Sequence, residues 1–257
     1  MSILFDEIVF GPIKSRRFGS SLGINLLPLK AKICNFNCIY CECGWTDLQS
    51  VNDTFFSKDQ IIEAIENKFK ILALNKEKID SITFAGNGEP TMHPSFSKII
   101  DAVLSLRDDY LPGIKIVVLS NSTLLSSQKV VNALQKVDLC VLKLDAGTNE
   151  TFLKINKPLS SKKMEWYIEK LKEFKGKLII QTIFLRGICD NQLIDNTVNE
   201  ELEQWLKAIK EINPQSVMIY TIDRETPAKD LEKISEAQLN LIAAKVKEIG
   251  IDANVYY

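Results

Sequence analysis

The sequence predicts an α/β fold with a parallel sheet, curled into a partial (βα)6 TIM-like barrel. Two observations predict it. Six candidate strands alternate with helical stretches along the 257 residues, the pattern of βα units. Most of those strands are near-continuous apolar runs, such as 178–185, as expected when helices cover both faces of a sheet. Six strands are too few for a closed eight-unit barrel, so a curved, partly open one is expected. There is no internal repeat, low-complexity segment or linker, and 1–257 reads as a single domain.

The elements follow in order. Residues 11–19 carry Lys14, Arg16 and Arg17 between glycines and read as a basic loop. Residues 22–27 form the first strand, stopped by Pro28. Ser57 caps a helix with Ile61, Ile62, Ile65 and Phe69 at helical spacing. A strand at 81–86 precedes a helix at 95–107, whose apolar positions are Phe96, Ile99, Ile100, Val103 and Leu104. Next come a strand at 115–121, a helix at 126–136 and a strand at 138–145. Helical segments at 148–155 and 160–174 lead to a strand at 177–185. A helix at 195–212, a strand at 216–222 and a helix at 235–249 complete the series. Residues 254–257 read either as a short closing strand or as a loose tail.

Charge narrows the partners. Lys and Arg total 32 against 33 acids, for a net charge of −1. A protein that grips a nucleic-acid backbone carries a basic excess or stripe, so intact nucleic acid is disfavoured as a partner. Lysines such as Lys162, Lys163, Lys170 and Lys172 are spaced along helices and read as solvated faces. No apolar run approaches the roughly 20 residues of a membrane span. The first ten residues carry acids and no basic region, so no secretory signal is expected. With clustered thiols, that points to a reducing cytoplasm.

Three of the six cysteines fall in Cys34-Asn35-Phe36-Asn37-Cys38-Ile39-Tyr40-Cys41. Thiolates this close can turn inward to one metal centre. A zinc site would want a second ligand pair, but the one histidine is His93, and Cys140 and Cys189 are isolated. Three ligands leave a coordination position open, which suits catalysis. A [4Fe–4S] cluster held by three thiolates fits best; three buried or disulfide-paired cysteines are the alternative.

In parallel α/β folds, reactive residues sit beyond the C-terminal ends of the strands. After the second strand, Gly86, Asn87, Gly88 and Glu89 form a segment whose glycines let backbone approach a ligand, or simply a turn. After the third, Ser120 and Asn121 offer small polar groups, or a helix cap with Ser122. In the fourth, alternation puts Lys143 and Asp145 on one face, where they need each other or a ligand. The fifth offers Gln181 and, past its end, Arg186; the sixth offers Tyr220 and Arg224. Arg186 and Arg224 suit an anionic or planar group, although loop arginines are commonly just solvated. With Arg16 and Arg17, these late-strand residues are the candidate substrate contacts. His93 reads as a capping or packing residue, and Cys140 as core.

The cysteine spacing, with Tyr40 just before the last cysteine, resembles the cluster loop of the radical S-adenosylmethionine (SAM) superfamily. The resemblance implies that SAM chelates the free iron through its amino and carboxylate groups. The reduced cluster then cleaves SAM, and a 5′-deoxyadenosyl radical takes hydrogen from a substrate. Gly86 to Glu89 resembles the superfamily's glycine-glycine-glutamate motif, with Asn87 where a glycine is often seen. By the same resemblance Tyr40, Ser120, Asn121, Lys143, Asp145 and Gln181 become SAM contacts, and a flavodoxin or ferredoxin the electron donor.

Gly11-Pro12-Ile13-Lys14-Ser15-Arg16-Arg17, Leu22-Gly23-Ile24-Asn25 and the stretch Tyr220 to Pro227 extend the likeness over almost the whole chain. They resemble a compact branch grouped with the wyosine-type tRNA base-modifying synthases, without the second-cluster cysteines of some relatives. The activity this implies is hydrogen abstraction from a small planar substrate, such as a modified purine or 7-deazapurine base. Queuine-type salvage by a lyase, or tRNA base modification, would be the setting. An activating enzyme that installs a glycyl radical on a partner protein is the alternative. A non-catalytic iron–sulfur carrier is a third class, and it would not need the polar strand ends.

Overall fold

The strands form where apolar residues run without interruption. All four residues of β3 (Ser81–Phe84) are buried, and in β4 (Lys115–Ser120) Ile116, Val117 and Val118 expose no surface. The computed structural model describes residues 3–46 and 55–257, so the first two residues of the expected acidic N-terminus lie outside the described residues.

Seven strands lie parallel, in chain order: β2 (Gly19–Ile24), β3, β4, β5 (Leu139–Lys143), β6 (Ile179–Cys189), β8 (Ser216–Thr221) and β10 (Asp252–Tyr256). The antiparallel β1 (Val9–Ser15) flanks β2, so the sheet runs from β1 to β10 without closing. β7 (Gln192–Asp195) and β9 (Asp230–Lys233) pair with the far half of β6, beyond the main sheet.

The six expected strands are all present, and four more join them among the described residues. Residues 9–15 are a strand rather than a loop: the segment bulges between Phe10 and Ile13, which absorbs Gly11 and Pro12. The C-terminal residues pair with β8, so the tail is a strand, though not a closing one. β7 takes Asp195 out of the expected helix, which begins at Asn199.

Helices cover the outer face. In α1 (Lys58–Asn75) the Ser57 Oγ accepts from Gln60 N at 3.2 Å, and Gln60 Oε1 accepts from Ser57 N at 2.8 Å. Its Ile61, Ile65 and Phe69 pack with α2 (Phe96–Tyr110) and with outward strand residues such as Ile82, Ile116 and Val118. α3 (Gln128–Leu134), α4 (Asn149–Asn156), α5 (Met164–Lys172), α6 (Asn199–Ile212) and α7 (Glu236–Glu248) follow at the expected places.

Alternation gives the concave face two layers. Phe18, Val117, Val141, Ile179 and Met218 pack together as an apolar floor. Two residues further along each strand stand Leu119, Lys143, Gln181 and Tyr220. The same strands that close the core below therefore present polar groups above it.

Candidate active site

The residues beyond β2 form a loop that is held by backbone from distant parts of the chain. Ile33 N donates to Asn87 O at 2.8 Å, and Glu89 N to Ile33 O at 3.0 Å. Asn37 N reaches Asn156 O and Ile39 N reaches Ile155 O, each at 3.0 Å. Ala228 N donates to Ile39 O at 3.2 Å. Lys32 Nζ closes the loop on Gly44 O at 2.8 Å. An irregular segment is thus pinned at several points along its length by backbone partners from the segment after β3, the end of α4 and the segment after β8.

Cys34, Cys38 and Cys41 line one cavity of about 190 Å³ with Tyr40, Gly86, Gly88, Glu89, Ser120, Asn121, Lys143 and Gln181. All six cysteines are free thiols, so the disulfide alternative falls. Burial pushes Cys34 up to about 12, with Cys38 adding to it, and burial also raises Cys38. Such thiols stay protonated until a metal displaces the proton. The Cys43 thiol, which also lines the cavity, hydrogen-bonds Cys41 and draws its pKa downward. Among the described residues no three His, Cys, Asp or Glu side chains converge on a single metal ion. A four-iron cluster asks for something else: thiolates on different irons, held apart around one cavity, with N–H donors to sulfur. Phe36 N donates to Cys34 Sγ at 3.4 Å and Asn156 Nδ2 to Cys38 Sγ at 3.5 Å. The donor set fits a cluster and not a mononuclear site.

Gly88 has φ +134° and a Cβ there would lie 1.8 Å from Ile33 O, so only glycine fits between the two loops. A Cβ on Gly86 would meet Asn25 Oδ1 at 2.4 Å. Asn87 is buried and its side chain faces away from the cavity, bonded to Phe5 N, Phe5 O and Pro28 O. It anchors the N-terminal segment, which leaves only its backbone near the site. Glu89 is also buried; its carboxylate accepts from Thr91 N, Thr91 Oγ1, Ser120 Oγ and Asn121 N. Burial raises its pKa against the pull of those donors. Asn121 Nδ2 donates to Asn35 Oδ1 at 2.8 Å, beside Cys34 Sγ at 3.6 Å.

Lys143 and Asp145 share a face as expected, 3.3 Å apart, with the Asp145 side chain fully buried. The Tyr40 hydroxyl bonds both. Burial draws the Lys143 pKa down, but Asp145 and Cys38 outweigh it and hold the ammonium well above its usual range. Asn156 completes the group, donating to Asp145 Oδ2 at 2.7 Å. Sequence reasoning missed Asn156; its only signal is a polar residue ending a helix before Lys157 and Pro158.

The late-strand candidates divide. Arg17 leaves the β1–β2 turn and donates to Gln181 Oε1 at 2.6 Å, its guanidinium 4.9 Å from the Tyr220 ring centroid. Arg16 turns to Asp223 at 3.5 Å. Arg186 points to Gln238 Oε1 at 2.6 Å on the β6–β7–β9 side, and Arg224 is exposed and bonded to Glu42 at 2.8 Å. Of these candidates Gln181 lines the cysteine cavity, while Arg16, Arg17, Tyr220, Arg186 and Arg224 do not. His93 packs as expected, accepting from Ser95 N with Nδ1 and paired through Nε2 with Phe56 O. Cys140 is core.

Residues 30–197 match the family model described as the radical SAM superfamily. A "UPF0026 protein" of Helicobacter pylori is 34% identical over 90% of this chain and 71% of its own length. One of Methanocaldococcus jannaschii is 32% identical over 94% of this chain and 72% of its own. Among solved structures, a radical SAM methyltransferase from Sphaerobacter thermophilus superposes with a TM-score of 0.67 at 14% identity, over 92% of this chain and 66% of its own. Streptococcus suis SuiB bound to S-adenosylmethionine gives 0.61 at 15% identity, over 91% and 50%. At these identities the structural likeness speaks for the fold, a partial barrel with a mostly parallel sheet.

Proposed function

The chain belongs to the radical SAM superfamily, and we propose that it abstracts a hydrogen atom from a small planar substrate, a modified purine or 7-deazapurine base. It is a radical SAM enzyme, whose cofactors are a [4Fe–4S] cluster and SAM. When bound, these supply the electron and the carbon radical for the abstraction.

The chain's own residues then do the following. Cys34, Cys38 and Cys41 would hold the cluster. The backbone of Gly86 to Glu89, with Ser120 and Asn121, would receive the methionine end of SAM. Lys143, Asp145 and Tyr40 would receive its carboxylate and ribose.

The observation that carries the substrate reading is Arg17 against Tyr220 and Gln181. It places an aromatic face, a guanidinium edge and an amide on the layer that also bears Lys143. A flat heterocycle offers those groups both stacking and hydrogen bonds. The near-zero net charge favours a free base or nucleoside over intact tRNA. Free thiols and an oxygen-sensitive cluster suit a reducing interior with a flavodoxin or ferredoxin as donor. No described helix is long and apolar enough to cross a membrane.

Anaerobic reconstitution with iron and sulfide, reduction, and assay of 5′-deoxyadenosine against a panel of modified bases tests this. Deoxyadenosine that rises with one base is expected. Cleavage that ignores every base but rises with a glycine-loop peptide would replace the reading with a protein-activating one. Cys34→Ala, Cys38→Ala and Cys41→Ala should each abolish SAM cleavage, and retained cleavage in a loaded variant would refute the ligand set.

A further inference from the structure

Asn156 ends α4, and Lys157 after it takes a left-handed backbone with φ 41°. Its carbonyl accepts from Asn37 N, while the carbonyl of Ile155 accepts from Ile39 N. The end of this helix therefore grips the cysteine loop on both sides of Cys38. The side chain is 1% exposed, and its Nδ2 lies 3.5 Å from Cys38 Sγ and 2.7 Å from Asp145 Oδ2. Both neighbours are acceptors when ionised, so the amide can face them only with its nitrogen. The Oδ1 atom is left buried without a partner. An apolar side chain would leave no such orphan, which indicates that this position serves the donor at the cost of the acceptor.

We propose that Asn156 is a positioning residue that raises the reduction potential of the cluster by donating its N–H to the Cys38 sulfur. A hydrogen bond to a cluster sulfur favours the reduced state, which carries one more negative charge. The electron comes from the external donor, and no bond is made or broken at Asn156. This inference rests on the cluster assignment above.

The test is an EPR-monitored redox titration of reconstituted holoenzyme, with iron and sulfide content measured alongside. Asn156→Ala should lower the midpoint potential. Asn156→Asp, which sets a carboxylate beside sulfur, should lower it further. At a fixed reductant potential we expect the Asp variant's reduced-to-oxidised ratio to fall at least tenfold, a shift of about 59 mV for one electron. Ratios within twofold of the unaltered protein in both fully loaded variants overturn the proposal.

If the variants take up cluster poorly, pulsed EPR on the reduced protein labelled with 15N-asparagine, in an Asn121→Ala background, reads the contact directly. A 15N coupling that Asn156→Ala removes supports the inference, and a spectrum that Asn156→Ala leaves unchanged overturns it. A chain that takes up no four-iron cluster overturns both readings, whereas a cluster indifferent to Asn156 overturns this one alone.

Discussion

The ends of β3 and β5 each bury a carboxylate, and the two are treated differently. Glu89, after β3, makes no ion pair among the described residues; two backbone amides and two hydroxyls donate to its oxygens. Asp145, after β5, is joined to Lys143, Tyr40 and Asn156, and Lys143 opens onto the cavity. The first carboxylate is a clamp between β3 and β4, with both oxygens engaged by neighbouring donors. The second belongs to a charged group whose cation can meet a ligand. Two acids that look alike as strand-end residues thus divide into one that builds the site and one that can work in it.

The comparison breaks most sharply at Glu89. Glu89→Ala strands four donors around a buried carboxylate, at roughly 1–3 kcal/mol each before relaxation. We expect a loss on the order of 5 kcal/mol and a melting temperature lower by about 10–20 °C, measured by thermal denaturation. Asp145→Ala also leaves a buried partner, but the cavity lets water reach Lys143. A loss of about 3 kcal/mol is expected, at the low end for a broken buried pair, together with weaker SAM binding in equilibrium titration. An unchanged affinity would make Asp145 purely structural.

Removing both partners sharpens the contrast. The double variant Lys143→Met, Asp145→Leu should be more stable than Asp145→Ala alone, since no charge remains buried, while still binding SAM poorly. A double variant that melts below the single one would show that the pair is structural after all.

The smallest effect concerns His93, in the turn after Glu89. Burial lowers its pKa below 6.5, so its contribution is complete above that pH and is lost as pH falls through the lowered value. Denaturation midpoints of the unaltered protein should decline on acidification more than those of His93→Gln. Parallel curves would remove His93 as the cause.

Much of this was legible beforehand because it depends on local pattern. The Ser57 cap, the core faces of α1 and α2, and the shared face of Lys143 and Asp145 all follow from periodicity. What escaped depends on distant partners. β7 and β9 are short and polar, and only pairing with the far half of β6 makes them strands. Asn87 was grouped with its glycine neighbours, yet its side chain is claimed by Phe5 and Pro28. Arg186 and Arg224 carry the right charge, but Gln238 and Glu42 hold them away from the cavity. Asn156 gives no local sign that it will meet a cysteine far earlier in the chain.

The backbone bonds that hold the cysteine loop also set a timetable. Ile33 waits for Asn87 and Glu89, Asn37 and Ile39 for the end of α4, and Ile39 again for Ala228. Contacts so remote along the chain form late, because long loops must close before they are rewarded. Cys34, Cys38 and Cys41 leave the ribosome early, but their cradle is complete only when β8 and the segment after it are in place. Iron delivered to the growing chain would find loose thiols, so cluster insertion belongs to the finished protein.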